Sequence, residues 1–127
     1  MTGLDLYEIS LDLLGLKGED GNAPSDTDDL RTRALSLINI LIAENAVLDC
    51  RIRRCEHEIK RISTLDDEIE LIDIVAFGAL PYGLASLLML GEDDALAVSM
   101  RALYEKARSE ALKFGKARIT PITEVYK

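Results

Sequence analysis

The sequence predicts an all-α fold: a compact bundle of four to five helices around a central, proline-kinked apolar helix, with an extended C-terminal tail. Three observations lead there. The apolar stock is mostly Leu, Ile and Ala, with two Phe, four Tyr and no Trp, and an aliphatic core of that kind favours helices over sheets. Apolar positions recur at three- and four-residue steps along much of the chain. The 17-residue stretch IVAFGALPYGLASLLML, residues 74–90, carries no charge; as a helix it is apolar on every side, and so buried on every side. The 127 residues make one domain, long enough to bury about two-thirds of its unfolded surface. Residues 1–116 are assigned to the helical domain and 117–127 to the tail.

The first element, TGLDLYEISLDLL at residues 2–14, is a short amphipathic helix with Thr2 as its cap and Asp5 as capping-box partner, stopped by Gly15. KGEDGNAPSD is a loop. Its Asp20-x-Asn22 is not a calcium loop, because Pro24 stands where a third ligand belongs and no Glu closes the site. A long helix starts at Ser25 or Asp26, with Asp28 and Asp29 at its positive end. Leu30, Ala34, Ile38, Leu41, Asn45 and Leu48 form its core stripe, widened by Leu37, Ile40 and Ile42. Asn39 and Asn45 read as satisfied packing residues.

Residues 51–65 are open between a continued helix, a short strand and a connector. Ser63 or Thr64 then caps the next helix, with Asp66, Asp67 and Glu68 as first-turn acids. The apolar helix runs to Leu90, bent at Pro81 and ended by Gly91. The last helix starts at Glu92 or Asp93. Its inner face is Leu96, Met100, Leu103, Ala107, Ala111 and Phe114, its outer face carries Arg101–Glu105 and Lys106–Glu110 pairs, and Gly115 ends it. The tail KARITPITEVYK is β-branched and holds a proline, so it is not helical. Its Ile119, Ile122, Val125 and Tyr126 are apolar enough to dock on the domain or on a neighbour.

Charge and flanks set the function classes. A membrane span needs about 20 apolar residues and usually a basic flank. Residues 74–90 are short, and both flanks are acidic, with Asp73 before and Glu92, Asp93 and Asp94 after. No membrane association is expected. The start of the chain shows no secretion signal. The net charge of −8 opposes binding to phosphate backbones, and the basic run from Arg51 to Arg61 has no interleaved aromatics, so sequence-specific nucleic-acid binding is not expected. The charge is arranged in blocks: −7 over residues 1–49, +3 over 50–64, −8 over 65–94 and +4 over 95–127. Such blocks pair within one fold or between copies.

No catalytic motif is present, and no cofactor or metal is expected. Cys50 and Cys55, five apart, fall on different faces of a helix. With the single His57 they lack both the spacing and the fourth ligand of a zinc site, so they read as reduced, partly buried thiols. Asp66, Asp67 and Glu68 have no His partner for a metal. An enzyme with a shallow acid-lined site is the least supported class.

The order of segments carries one resemblance. MTG…LDLLGL, ALSLINILIAE, STLDDEIEL, LPYGLASLLMLGEDDALAVSMRALYEKAR and a tail ending EVY together resemble the small helical head–tail connector (adaptor) proteins of long-tailed phages and prophages. The resemblance covers nearly the whole chain, and none of its motifs is catalytic. It implies a virion assembly protein that forms rings of about a dozen subunits and binds portal and tail-completion proteins. It also implies residence in the bacterial cytoplasm during assembly and at the head–tail junction of the virion afterwards. The candidate interface is then the tail, Ile119, Ile122, Val125 and Tyr126, together with a basic face around Arg101 and Arg108 that meets Asp66, Asp67 and Glu68 of a neighbour. The rival reading is a cytosolic helical adaptor or regulator that binds one protein through a groove, without catalysis.

Overall fold

Local chemistry sets the first element of the computed structural model, which describes residues 1–16 and 28–117. Thr2 Oγ1 accepts from the Asp5 amide at 3.1 Å, and the Asp5 carboxylate accepts from the Thr2 amide at 3.0 Å. This reciprocal capping box opens α1, Gly3–Leu14. Gly15, left-handed at φ 69°, ends it. Leu6, Tyr7, Ser10 and Leu11 face inward. Ser10 Oγ lies 2.9 Å from the Leu6 carbonyl and 3.3 Å from that of Pro81, so one buried hydroxyl bonds within its own helix and reaches across to another.

The long helix α2, Asp28–Arg53, buries the predicted stripe from Leu30 to Leu48 and extends it through Asp49 and Ile52. Its predicted start at Ser25 or Asp26 lies outside the described residues. Ile40 is not in the core: it is 53% exposed, as is Val47 at 62%.

The apolar stretch does form the centre, but in two pieces. A single turn, α3 (Asp73–Ala76), gives way at Phe77–Ala79 to α4, Leu80–Met89. Pro81 falls in the first turn of α4, where its missing N–H removes no intrahelical bond. The proline therefore starts a helix and does not bend one: the expected kink at Pro81 is replaced by the interruption at Phe77–Ala79. α4 packs against α1, α2 and α5, and eight of its ten residues are buried. Among the described residues no helix is long and apolar enough to cross a membrane. Gly91, at φ 84°, stops the run as predicted.

Helix α5, Asp94–Ala117, is capped by Asp93, whose carboxylate accepts from the Leu96 amide at 3.1 Å. Its buried line is Ala97, Tyr104, Ala111 and Gly115, flanked by Leu96, Met100 and Ala107. The predicted face is thus rotated, and Leu103 (43%) and Phe114 (48%) are half-exposed. Small residues decide this. A Cβ on Gly83 of α4 would lie 2.9 Å from the Tyr104 ring, so the glycine lets α5 lay Tyr104 against α4. Gly115 does not end the helix. It lies within the helix, where a Cβ would approach Ile52 to 3.2 Å. Residues 118–127, and with them the predicted tail, lie outside the described residues.

The open stretch is irregular. Between α2 and α3 there is neither helix nor strand, only a single bridge between Thr2 and Glu68. Its amides and carbonyls find distant partners instead. The Asn39 carboxamide brackets Ile62, accepting from its N–H and donating to its C=O, each at 2.9 Å. The chain start pairs with residues 65–69: Leu4 N–H to Leu65 O at 2.7 Å, Gly3 N–H to Asp67 O at 3.2 Å, Ile69 N–H to Met1 O at 2.9 Å. Ile62, Ile69 and Leu71 drop into the core.

No helix follows Ser63 or Thr64, so Asp66, Asp67 and Glu68 are not first-turn acids; Asp73 has that place in α3. Asp67 instead closes a turn backward, accepting from the Ser63 amide at 2.7 Å and the Thr64 amide at 3.0 Å. The Thr64 amide first, and then that of Ser63, hold its carboxyl below the usual value of 3.8. A depressed carboxyl contributes stability that is present above the unfolded value and lost as pH falls through the folded one. Asp67 is therefore expected to titrate below 3.8 when its carboxyl carbon is followed by NMR. Asp67→Asn should make the Ser63 and Thr64 amide shifts independent of pH in the acid range.

Candidate functional site

Two arrangements bring together side chains that could do something besides fill the core. The first lies between α2 and α5. Tyr104 donates to Glu44 Oε1 at 2.8 Å and accepts from Asn45 Nδ2 at 2.7 Å. Burial first, then the bond to Glu44, raises its phenol above the ordinary value. Arg101 and Arg108 bracket the ring, with their guanidinium carbons 5.1 and 5.4 Å from its centroid. Arg108 Nε donates to Asn45 Oδ1 at 3.0 Å, and its NH2 reaches the Glu44 carbonyl at 3.4 Å. Arg101 pairs with Glu105 at 2.8 Å, as predicted, and with Glu44 at 3.5 Å.

The structure thus brings the two nominated arginines together, around one tyrosine. Arg108 is largely occupied inside its own chain. Arg101 is nearly half-exposed. The nominated acids sit elsewhere: Asp67 in its turn, and Glu68 2.9 Å from the Met1 amine. Ile119, Ile122, Val125 and Tyr126 lie outside the described residues.

The second arrangement is at the C-terminal end of α2, and it joins Cys50, Cys55 and His57, which the sequence alone gave reason to set aside as a site. The helix stops at Arg53, and Arg54 turns left-handed at φ 58°. The chain folds back, with the Cys55 amide closing on the Cys50 carbonyl at 3.3 Å. Cys50 and Cys55 are therefore not two faces of one helix. Both sulfurs approach the same imidazole nitrogen, His57 Nδ1, at 3.8 Å from Cys50 and 3.5 Å from Cys55. The other ring nitrogen, Nε2, is 2.9 Å from Asp49 Oδ1.

Asp49 is wholly buried. Its Oδ2 accepts from the Ile72 amide at 2.6 Å and from Arg53 Nε at 3.2 Å. Nε2 thus faces the carboxylate, and Nδ1 faces the two thiols. Beside the cluster lies a cleft of about 470 Å³ lined by Ala46, Val47, Cys50, Arg51, Arg54, Cys55 and Glu56. The signal was local: Asp-Cys at 49–50, then Cys-x-His at 55–57. Along a helix that spacing separates the two thiols; the turn at Arg54 brings them together. Comparison with family models, with curated proteins and with solved structures finds no match for the chain.

Proposed function

We propose that the chain is a virion assembly subunit of a phage or prophage, a head–tail connector that works through interfaces with its own copies and with portal and tail-completion proteins. The reading rests on the order of segments along the chain. The observation that carries it furthest is apolar surface left outside an otherwise filled core. Ile40 and Val47 of α2 and Leu103 of α5 are each more than 40% exposed, and a shallow groove of about 330 Å³ between these helices is lined by Val47, Leu48, Leu112 and the charged Arg51, Glu105 and Arg108. Apolar positions rimmed by charge suit a protein partner. The chain as a whole is acidic, and a wall of that sign lets DNA pass without adhering.

Sedimentation velocity on the full chain tests this. Association beyond a dimer is expected, alone or on addition of portal protein, and it should weaken as salt screens exposed charge pairs. Val47→Asp should reduce that association while the helical circular dichroism is unchanged. A monomer at every salt concentration, with portal present, would overturn the reading. A closed dimer that ignores portal would favour an adaptor that binds through a groove.

A further inference from the structure

We propose that Cys50, Cys55 and His57 form a zinc-binding site, with Asp49 as the residue that orients the imidazole. The donors are two thiols and one imidazole, a set that selects zinc over hard cations such as magnesium or calcium. Their spacing fits. In tetrahedral zinc, with Zn–S about 2.3 Å and Zn–N about 2.0–2.1 Å, sulfur and nitrogen ligands stand about 3.6 Å apart. Here Nδ1 is 3.8 Å from Cys50 Sγ and 3.5 Å from Cys55 Sγ. The second ring nitrogen lies 2.9 Å from a buried carboxylate, and a metal-bound histidine characteristically has such a partner behind it. Asp49 is itself fixed by the Ile72 amide and Arg53, so the carboxylate is in place behind the ring before any ion arrives.

Binding would replace two S–H bonds by two Zn–S bonds, with both protons going to solvent. Three protein ligands leave a fourth position for water or for a donor from another molecule. Bound zinc would tie the connector after Arg54 back onto the end of α2. A thiol nucleophile would use the same Nδ1 as its base, but it needs one sulfur, and two converge here.

The test uses the full chain, reduced and stripped of metal, titrated with cobalt(II) alone. The expected result is a saturable one-to-one complex with thiolate charge-transfer absorption and the visible bands of tetrahedral cobalt, both erased by zinc. Cys55 is exposed, so Cys55→Ser leaves the core intact and should weaken binding at least tenfold. Asp49→Asn should weaken it about 10–100-fold, with helical circular dichroism as the check on folding. Absence of thiolate–cobalt absorption in the reduced chain, or unchanged affinity in Cys55→Ser, would overturn the proposal. So would alkylation of one thiol at the same rate with and without zinc, an outcome that would point to a nucleophile instead.

Discussion

Tyr104→Ala is expected to destabilise the chain by about 3–5 kcal/mol, the range for removing a large buried aromatic. The ring is fully buried and fills the space that Gly83 opens on α4. Its loss leaves a cavity between three helices, strands Asn45 Nδ2 with one partner, the Leu41 carbonyl, and removes the surface on which Arg101 and Arg108 stack. Tyr104→Phe separates the two contributions. It keeps the ring and loses the hydroxyl, at a cost of about 1–3 kcal/mol for the buried polar groups left unmatched. Urea unfolding of the two variants should therefore differ by roughly the cavity contribution.

The alkaline behaviour follows from the same hydroxyl. The folded phenol titrates above the unfolded value of 10.0, so its contribution is complete below that value and declines as pH rises through the folded one. Wild type should lose stability above pH 10 more steeply than Tyr104→Phe.

Asp49→Ala is the second large effect, at about 1.5–3 kcal/mol, the worth of hydrogen bonds to a charged group. It is smaller than the roughly 3–5 kcal/mol of a broken buried ion pair because the partners can return to water: Arg53 and His57 are 37% and 30% exposed. The Ile72 amide loses the shortest of the bonds to Asp49, at 2.6 Å. Hydrogen exchange at Ile72 should accelerate in the variant well beyond the change at Ala34 or Ile38 in the middle of α2. Equal acceleration everywhere would mean that the carboxylate supports the whole bundle and not this junction.

What the sequence disclosed divides along the range of the interactions. The ends of α1 were readable because Thr2, Asp5 and Gly15 act within one turn. The stripe of α2 was readable because its burial repeats every three or four residues. The inner face of α5 was misjudged because Leu103 and Phe114 outweigh Ala97 and Gly115 in apolar bulk. The buried phenol is acceptable only because Asn45 and Glu44, some sixty residues away, meet its hydroxyl. The acids at 66–68 matched a helix-start pattern, but the first turn they suit does not form until Asp73. The Cys–His trio was set aside on its spacing and its missing fourth ligand; only the left-handed turn at Arg54 shows that the three side chains meet. Arg101 was correctly seen as a neighbour of Glu105, while the hold of Arg101 and Arg108 on Tyr104 and α2 needed the tertiary fold.

The Asn39 carboxamide meets the peptide of Ile62 on both sides, as a neighbouring strand would. The stretch from Arg54 to Ile62 is therefore moored at both ends, by Asp49 through His57 and by Asn39. Its residue count matters more than its composition. Adding or deleting one position there would slide a different peptide unit into the amide's grip, or pull the imidazole off the carboxylate, whereas exchanging an outward side chain at Glu58 or Arg61 would leave both moorings in place.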